Sequence, residues 1–68
     1  MKLLLFFMRN PDEELSIQDA EAKFNVSYTT AQRAFNRLVT NGWLLRRQLG
    51  NAALYAVNPK MLKLLEPE

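Results

Sequence analysis

No cysteine and no histidine occurs among the 68 residues. The first absence excludes disulfides and thiolate metal sites. The second removes the commonest general base and the commonest metal ligand. Glycine is scarce, with two residues, and the chain has no glycine-rich phosphate loop. Asp12, Glu13 and Glu14 read as part of an exposed, charged loop. No other ligand type accompanies them, so they do not form a metal site. No catalytic residue, metal or cofactor is expected, and an enzyme is the least favoured class.

Long apolar runs are missing as well. The run that begins at Leu3 stops at Met8, whereas a membrane-spanning helix needs about 20 apolar residues. Lys2 ahead of it imitates a secretory signal. Arg9, Asn10 and the acids follow at once, however, and no small-residue cleavage site comes after the run. The segment reads as a buried helix, and the lack of cysteine fits a cytoplasmic setting. The length suits one domain, residues 1–68, burying only about 60% of the surface its unfolded chain exposes.

Acid is absent from most of the chain. The net charge is only +2, yet every carboxylate except Glu66 and Glu68 lies at or before Glu21. Between Ala22 and Leu65 the charges are Lys23, Arg33, Arg37, Arg46, Arg47, Lys60 and Lys63. Such a one-signed stretch attracts polyanions. It can also be a solvated face balanced by the acids of the N-terminal third.

The pattern of the residues predicts a mainly α fold with a small β-hairpin. Residues 2–9 read as a helix that stops at Asn10-Pro11, because the residue before proline disfavours the helical region. Ser16 caps a second helix, with Asp19 completing a capping box. Ile17, Ala20 and Phe24 share its apolar face. After a turn at Asn25-Val26, Ser27 caps a third helix from Tyr28 to about Asn41, ended by Gly42. Ala31, Ala34, Phe35 and Leu38 form the inner stripe of this helix. Thr29, Gln32, Arg33, Asn36 and Thr40 face away, with no aliphatic side chain among them.

Residues 43–49 and 52–57 read as strands joined at Gly50-Asn51, a type II′ turn signal. That turn sets Leu49 opposite Ala52, Arg47 opposite Leu54 and Arg46 opposite Tyr55. Asn58 caps a last helix with Pro59 at its first position. Phe6, Phe7, Phe24, Phe35 and Trp43 are expected in the core.

The segments Phe24-Asn25-Val26-Ser27, Thr30-Ala31, Arg33-Ala34-Phe35, Leu38 and Gly42-Trp43-Leu44 resemble the winged helix-turn-helix superfamily of bacterial and archaeal regulators. The resemblance implies a three-helix core, a wing and a C-terminal helix, with a short strand near Leu15-Ser16 ahead of the second helix. A looser likeness links Val26 to Ala31, Leu54 to Val57 and Met61 to Leu65 with winged domains at the C-terminal end of Fic-type proteins. That likeness implies a domain of a longer protein. One position departs from the pattern. Five residues before the turn valine the family carries a small alanine, and here Glu21 stands there. Either Glu21 tilts outward while Ala20 and Ala22 pack, or the second helix is rotated.

The resemblance implies binding of double-stranded DNA, with the third helix in the major groove. The residue types agree with it. Arginine donates two hydrogen bonds to guanine, and Asn or Gln pairs bidentately with adenine. Gln32, Arg33 and Asn36 are the candidate readers, with Arg37 beside them and Tyr28 and Thr29 at the helix start. Free N–H groups near Ser27 suit a phosphate. Arg46 and Arg47 suit phosphate or a minor groove.

Each assignment has a plainer counterpart. Ser27 is a cap in any case, Arg33 pairs with Glu21 or Asp19, Tyr28 covers the core, and Gln32 and Asn36 are solvated. The rival function is a winged helix that docks another protein. Against it stands the polar, cation-bearing face of helix three. Single-stranded nucleic acid ranks lower, since only Tyr28 and Tyr55 offer stacking faces. A homodimer through Leu62, Leu64, Leu65 and the first helix is a further expectation.

Overall fold

The computed structural model describes residues 2–65. Within them the order is α1 (Leu3–Arg9), β1 (Glu14–Leu15), α2 (Ile17–Phe24), α3 (Tyr28–Thr40), β2 (Leu44–Leu49), β3 (Ala52–Val57) and α4 (Pro59–Leu65). This is a small mixed α/β arrangement of four helices and a three-stranded antiparallel sheet, ordered β1-β3-β2. No helix among the described residues is long and apolar enough to cross a membrane.

Local chemistry sets the helix ends. Ser16 Oγ accepts from the Asp19 N–H, and the Asp19 carboxylate accepts from the Ser16 N–H, closing the capping box. Asn25 takes the left-handed conformation at φ 54°, which turns the chain from α2 toward α3. Asparagine tolerates that region better than most residues. At the far end of α3 the N–H of Trp43 donates to the Leu38 carbonyl and that of Gly42 to the Val39 carbonyl. With Gly42 at φ 83°, this is a Schellman motif. Asn58 caps α4 by accepting from the Lys60 N–H, and its amide donates to the Gly42 carbonyl. One side chain thus ties the end of α3 to the start of α4.

The hairpin has the expected register. Leu49 faces Ala52, Arg47 faces Leu54 and Arg46 faces Tyr55. Gly50 lies at φ 62°, while Asn51 is not among the positive-φ residues. Positive φ at the first loop position alone fits type II′ and excludes type I′. A Cβ on Gly50 meets nothing within 4 Å, so a substitution there strains only the backbone. Gly50→Val should therefore cost about 1–3 kcal/mol. The loss should appear as faster amide exchange in β2 and β3, with α1 to α3 retained. Unchanged exchange across the hairpin would refute the turn assignment.

The sheet has a third strand that the hairpin reading lacks. Glu14 pairs with Ala56 and Leu15 with Tyr55. Glu14 therefore belongs to a sheet edge and not to the preceding loop, although its side chain stays exposed. The strand lies one residue earlier than the resemblance implies, because Ser16 is committed to capping α2. Leu15 becomes a core residue.

Phe7, Phe35 and Leu44 are fully buried, and Leu3, Leu15, Ala20, Ala31, Tyr55 and Val57 complete the core. Phe6 and Phe24 are half-buried against it. Their rings meet edge to face at 5.8 Å, and Lys23 Nζ sits 5.1 Å from the Phe6 centroid. Trp43, expected in the core, is only half-buried. Its backbone is instead used twice, donating to Leu38 and accepting from Asn58. At the departure from the family pattern, Ala20 alone takes the packing role. Glu21 is half-buried and Ala22 is exposed.

The register makes the hairpin two-faced, because side chains alternate across a strand. Leu44, Tyr55 and Val57 point into the core, so Arg46 and Gln48 share that inner face toward the tip. Leu45, Arg47, Leu49 and Leu54 lie on the outer face, together with Glu14 of β1.

Candidate nucleic-acid interface

Ser27 starts α3 in extended backbone. Its Oγ accepts from the Thr30 N–H at 3.2 Å and donates to Thr30 Oγ1 at 2.9 Å. The Thr30 N–H is thus taken. The N–H groups of Tyr28 and Thr29 have no protein acceptor among the described residues. They are the free donors that a helix N-terminus presents to an anion. Ser27→Ala should lower stability by about 1 kcal/mol through loss of the cap. Chemical denaturation would measure it, and an unchanged midpoint would remove Ser27 as a structural element.

The inner stripe of α3 packs as its period requires. Ala31 and Phe35 are buried, and Ala34 and Leu38 are half-buried. Tyr28, Thr29, Gln32, Arg33, Asn36, Arg37 and Thr40 are all exposed. The exposed face divides into two rows spaced four residues apart. Tyr28, Gln32 and Asn36 form one row. It lines a polar groove of about 480 Å³ between α3, the start of α2 and the inner face of the hairpin. Thr29, Arg33 and Arg37 form the other row, outside the groove. Arg37 instead borders a shallow apolar cleft with Lys2, Leu4 and Leu5 of the α1 segment.

Across the groove stand Arg46 and Gln48 of β2 and Asn51 of the turn. Arg46 Nη2 donates to Gln48 Oε1 at 3.3 Å, and Gln48 Nε2 donates to the Gly50 carbonyl at 3.0 Å. This chain of contacts orients the guanidinium from the hairpin tip. Arg46 is the one charged residue lining the groove among the described residues. The remaining polar lining is hydroxyl and amide, uncharged groups that both donate and accept. Tyr28, at 47% exposure, borders the groove and does not serve as core cover.

Arg47 departs from expectation. Its guanidinium donates to Glu14 Oε1 at 2.7 Å, an ion pair between residues 33 apart in sequence. It lies on the outer face, away from the groove that holds Arg46. The cause is β1, which brings an acid to within reach over the width of β3. Arg46 and Arg47, adjacent in sequence and grouped as phosphate ligands, therefore do different things. The pairing of Arg33 with Glu21 or Asp19 does not form. Arg47–Glu14 is the one ion pair among the described residues, and Asp19 is engaged in its capping box.

Gln18, Gln48 and Asn51 line the groove without having been singled out from sequence. For Gln48 the signal is its alternation with Arg46 along one strand. Gln18 depends on how α2 packs, which no local pattern reveals. The expected dimer residues also divide. Leu62 is half-buried against the chain's own core, Leu64 is 76% exposed, and the Leu65 side chain lies outside the described residues. In comparisons with known proteins, the chain matches no family model and no curated sequence.

Proposed function

We propose that this chain is a winged helix-turn-helix module that binds double-stranded DNA in a sequence-specific manner and regulates transcription. In this reading α3 enters the major groove and the β2–β3 hairpin is the wing. The observation that carries it is the groove in which Tyr28, Gln32 and Asn36 face Arg46. One wall offers side chains of the type that read base edges, and the other offers a single oriented cation for a phosphate.

Three features add support. The helix start has free N–H donors. Arg33 and Arg37 flank the amide row without ion-pair partners among the described residues. No acid lies between Ala22 and Leu65 to repel a polyanion. In this reading the module works without a cofactor and without catalysis, in the cytoplasm.

The deciding experiment is selection of bound duplexes from a random pool, repeated at two salt concentrations. A defined motif should emerge, with affinity falling steeply as salt rises. Retention of no duplex at low salt would end the DNA reading and leave docking to a protein in its place.

A further inference from the structure

Among the described residues, two of the five exposed large hydrophobics lie on the outer face of the hairpin. Leu45 and Leu49 are 50% and 60% exposed there, with Leu54 of β3 beside them. The two charges on this face, Arg47 and Glu14, neutralise each other. An electroneutral apolar face gives a polyanion nothing to hold, and it offers no advantage to a partner of either charge. It does match itself. Arg47 stands on β2 and Glu14 on β1, on opposite sides of β3. A two-fold axis running along β3 lays each β2 over the partner's β1. The leucines then meet at the centre, and each Arg47 comes opposite a Glu14 of the other copy. An interface in which residue i meets j and j meets i is what two-fold symmetry requires. Aligned packing of two sheets is a common solution for apolar sheet faces.

We propose that the outer faces of two copies of this chain pack together into a symmetric dimer, centred on Leu45, Leu49 and Leu54, with Arg47 and Glu14 exchanged between protomers. The polar groove lies on the other face of the same sheet, so association leaves it open. This contact differs from the one expected on α4, of which Leu62 is half-buried against its own core and Leu64 is 76% exposed.

The test is sedimentation equilibrium of the full chain without DNA, so its outcome is independent of the DNA reading. Wild type should dimerise in the micromolar range. Leu45→Glu with Leu49→Glu should weaken the dimer about a hundredfold or more, since four half-exposed leucines would no longer be buried. Their exposure keeps the fold intact, which circular dichroism checks. Arg47→Glu and Glu14→Arg should each be monomeric alone, because like charges then face each other. Mixed together they should form a heterodimer, since every contact between chains becomes opposite in sign. Repair of the pair within one chain cannot give that result, because each variant keeps its own like-charged pair. A monomeric wild type, a leucine variant that dimerises undiminished, or a mixture that stays monomeric would each overturn the proposal.

Discussion

Phe35→Ala should leave the chain unfolded or nearly so at room temperature. Phe35 is fully buried, stacks on Tyr55 at 4.3 Å between centroids, and meets Phe7 edge to face at 6.3 Å. Truncating a buried phenylalanine costs about 3–5 kcal/mol, from lost transfer energy and from the cavity left behind. A chain of 68 residues with no cysteine to form a disulfide belongs at the low end of the usual ~5–15 kcal/mol range. The effect reaches further than one side chain. Tyr55 is the register partner of both Leu15 and Arg46, so Phe35 supports the centre of the sheet from the helical side. Urea denaturation followed by circular dichroism would measure the loss. Leu5→Ala, at 41% exposure on α1 and outside the hairpin face, is the control and should shift the midpoint slightly. Equal shifts for the two variants would mean that the Phe35–Tyr55 stack does not organise the core.

The parts of this fold legible in sequence are those decided by a few neighbouring residues. Ser16 with Asp19, Ser27, Gly42, and Asn58 with Pro59 each satisfy backbone groups within one turn of themselves. Helix boundaries could therefore be read without knowing what the helices pack against. The hairpin register follows from a two-residue loop for the same reason.

What the local pattern does not carry is non-local. Strand β1 has two residues, too few for an alternation to be visible, so only the resemblance points to a strand near Leu15-Ser16, and it exists because β3 has a free edge beside it. The Arg47–Glu14 pair depends on that strand and was hidden with it. The candidate site was half legible. Periodicity separates the inner stripe of α3 from its exposed face. It cannot divide that face into a row inside the groove and a row outside, because the division is made by where the hairpin leans. In Trp43, residue type misled. A large aromatic after a capping glycine suggests core, but here its backbone carries the structural role.

Arg46→Ala, Arg47→Ala and Asn36→Ala should fail in three different ways if the groove takes DNA. Arg46 lines the groove, and among the described residues its guanidinium is held only by Gln48. If it holds a phosphate, Arg46→Ala should weaken binding to every duplex by a similar factor. It should also flatten the log–log salt dependence by about one unit, because one fewer counterion is released. Arg47 carries the same formal charge, but Glu14 neutralises it on the opposite face of the sheet. Compared at the same association state, its removal should leave the slope close to that of wild type. An exposed pair of this kind contributes about 0.2–1 kcal/mol to stability, so Arg47→Ala should remain folded. Asn36 stands in the amide row of α3 facing Arg46. Asn36→Ala should leave non-specific binding and its salt slope nearly intact. It should reduce preference for the selected sequence by about 1–3 kcal/mol, the worth of one bidentate contact to a base. Titrations of selected and scrambled duplexes at several salt concentrations resolve all three patterns. The contrast between Arg46 and Arg47 is the sharpest part, because sequence alone makes them equivalent. Equal flattening by both would mean that the outer face of the hairpin meets the phosphates, and the groove would lose its role. No change from any of the three in folded protein would exclude α3 and the hairpin together as the DNA-binding surface.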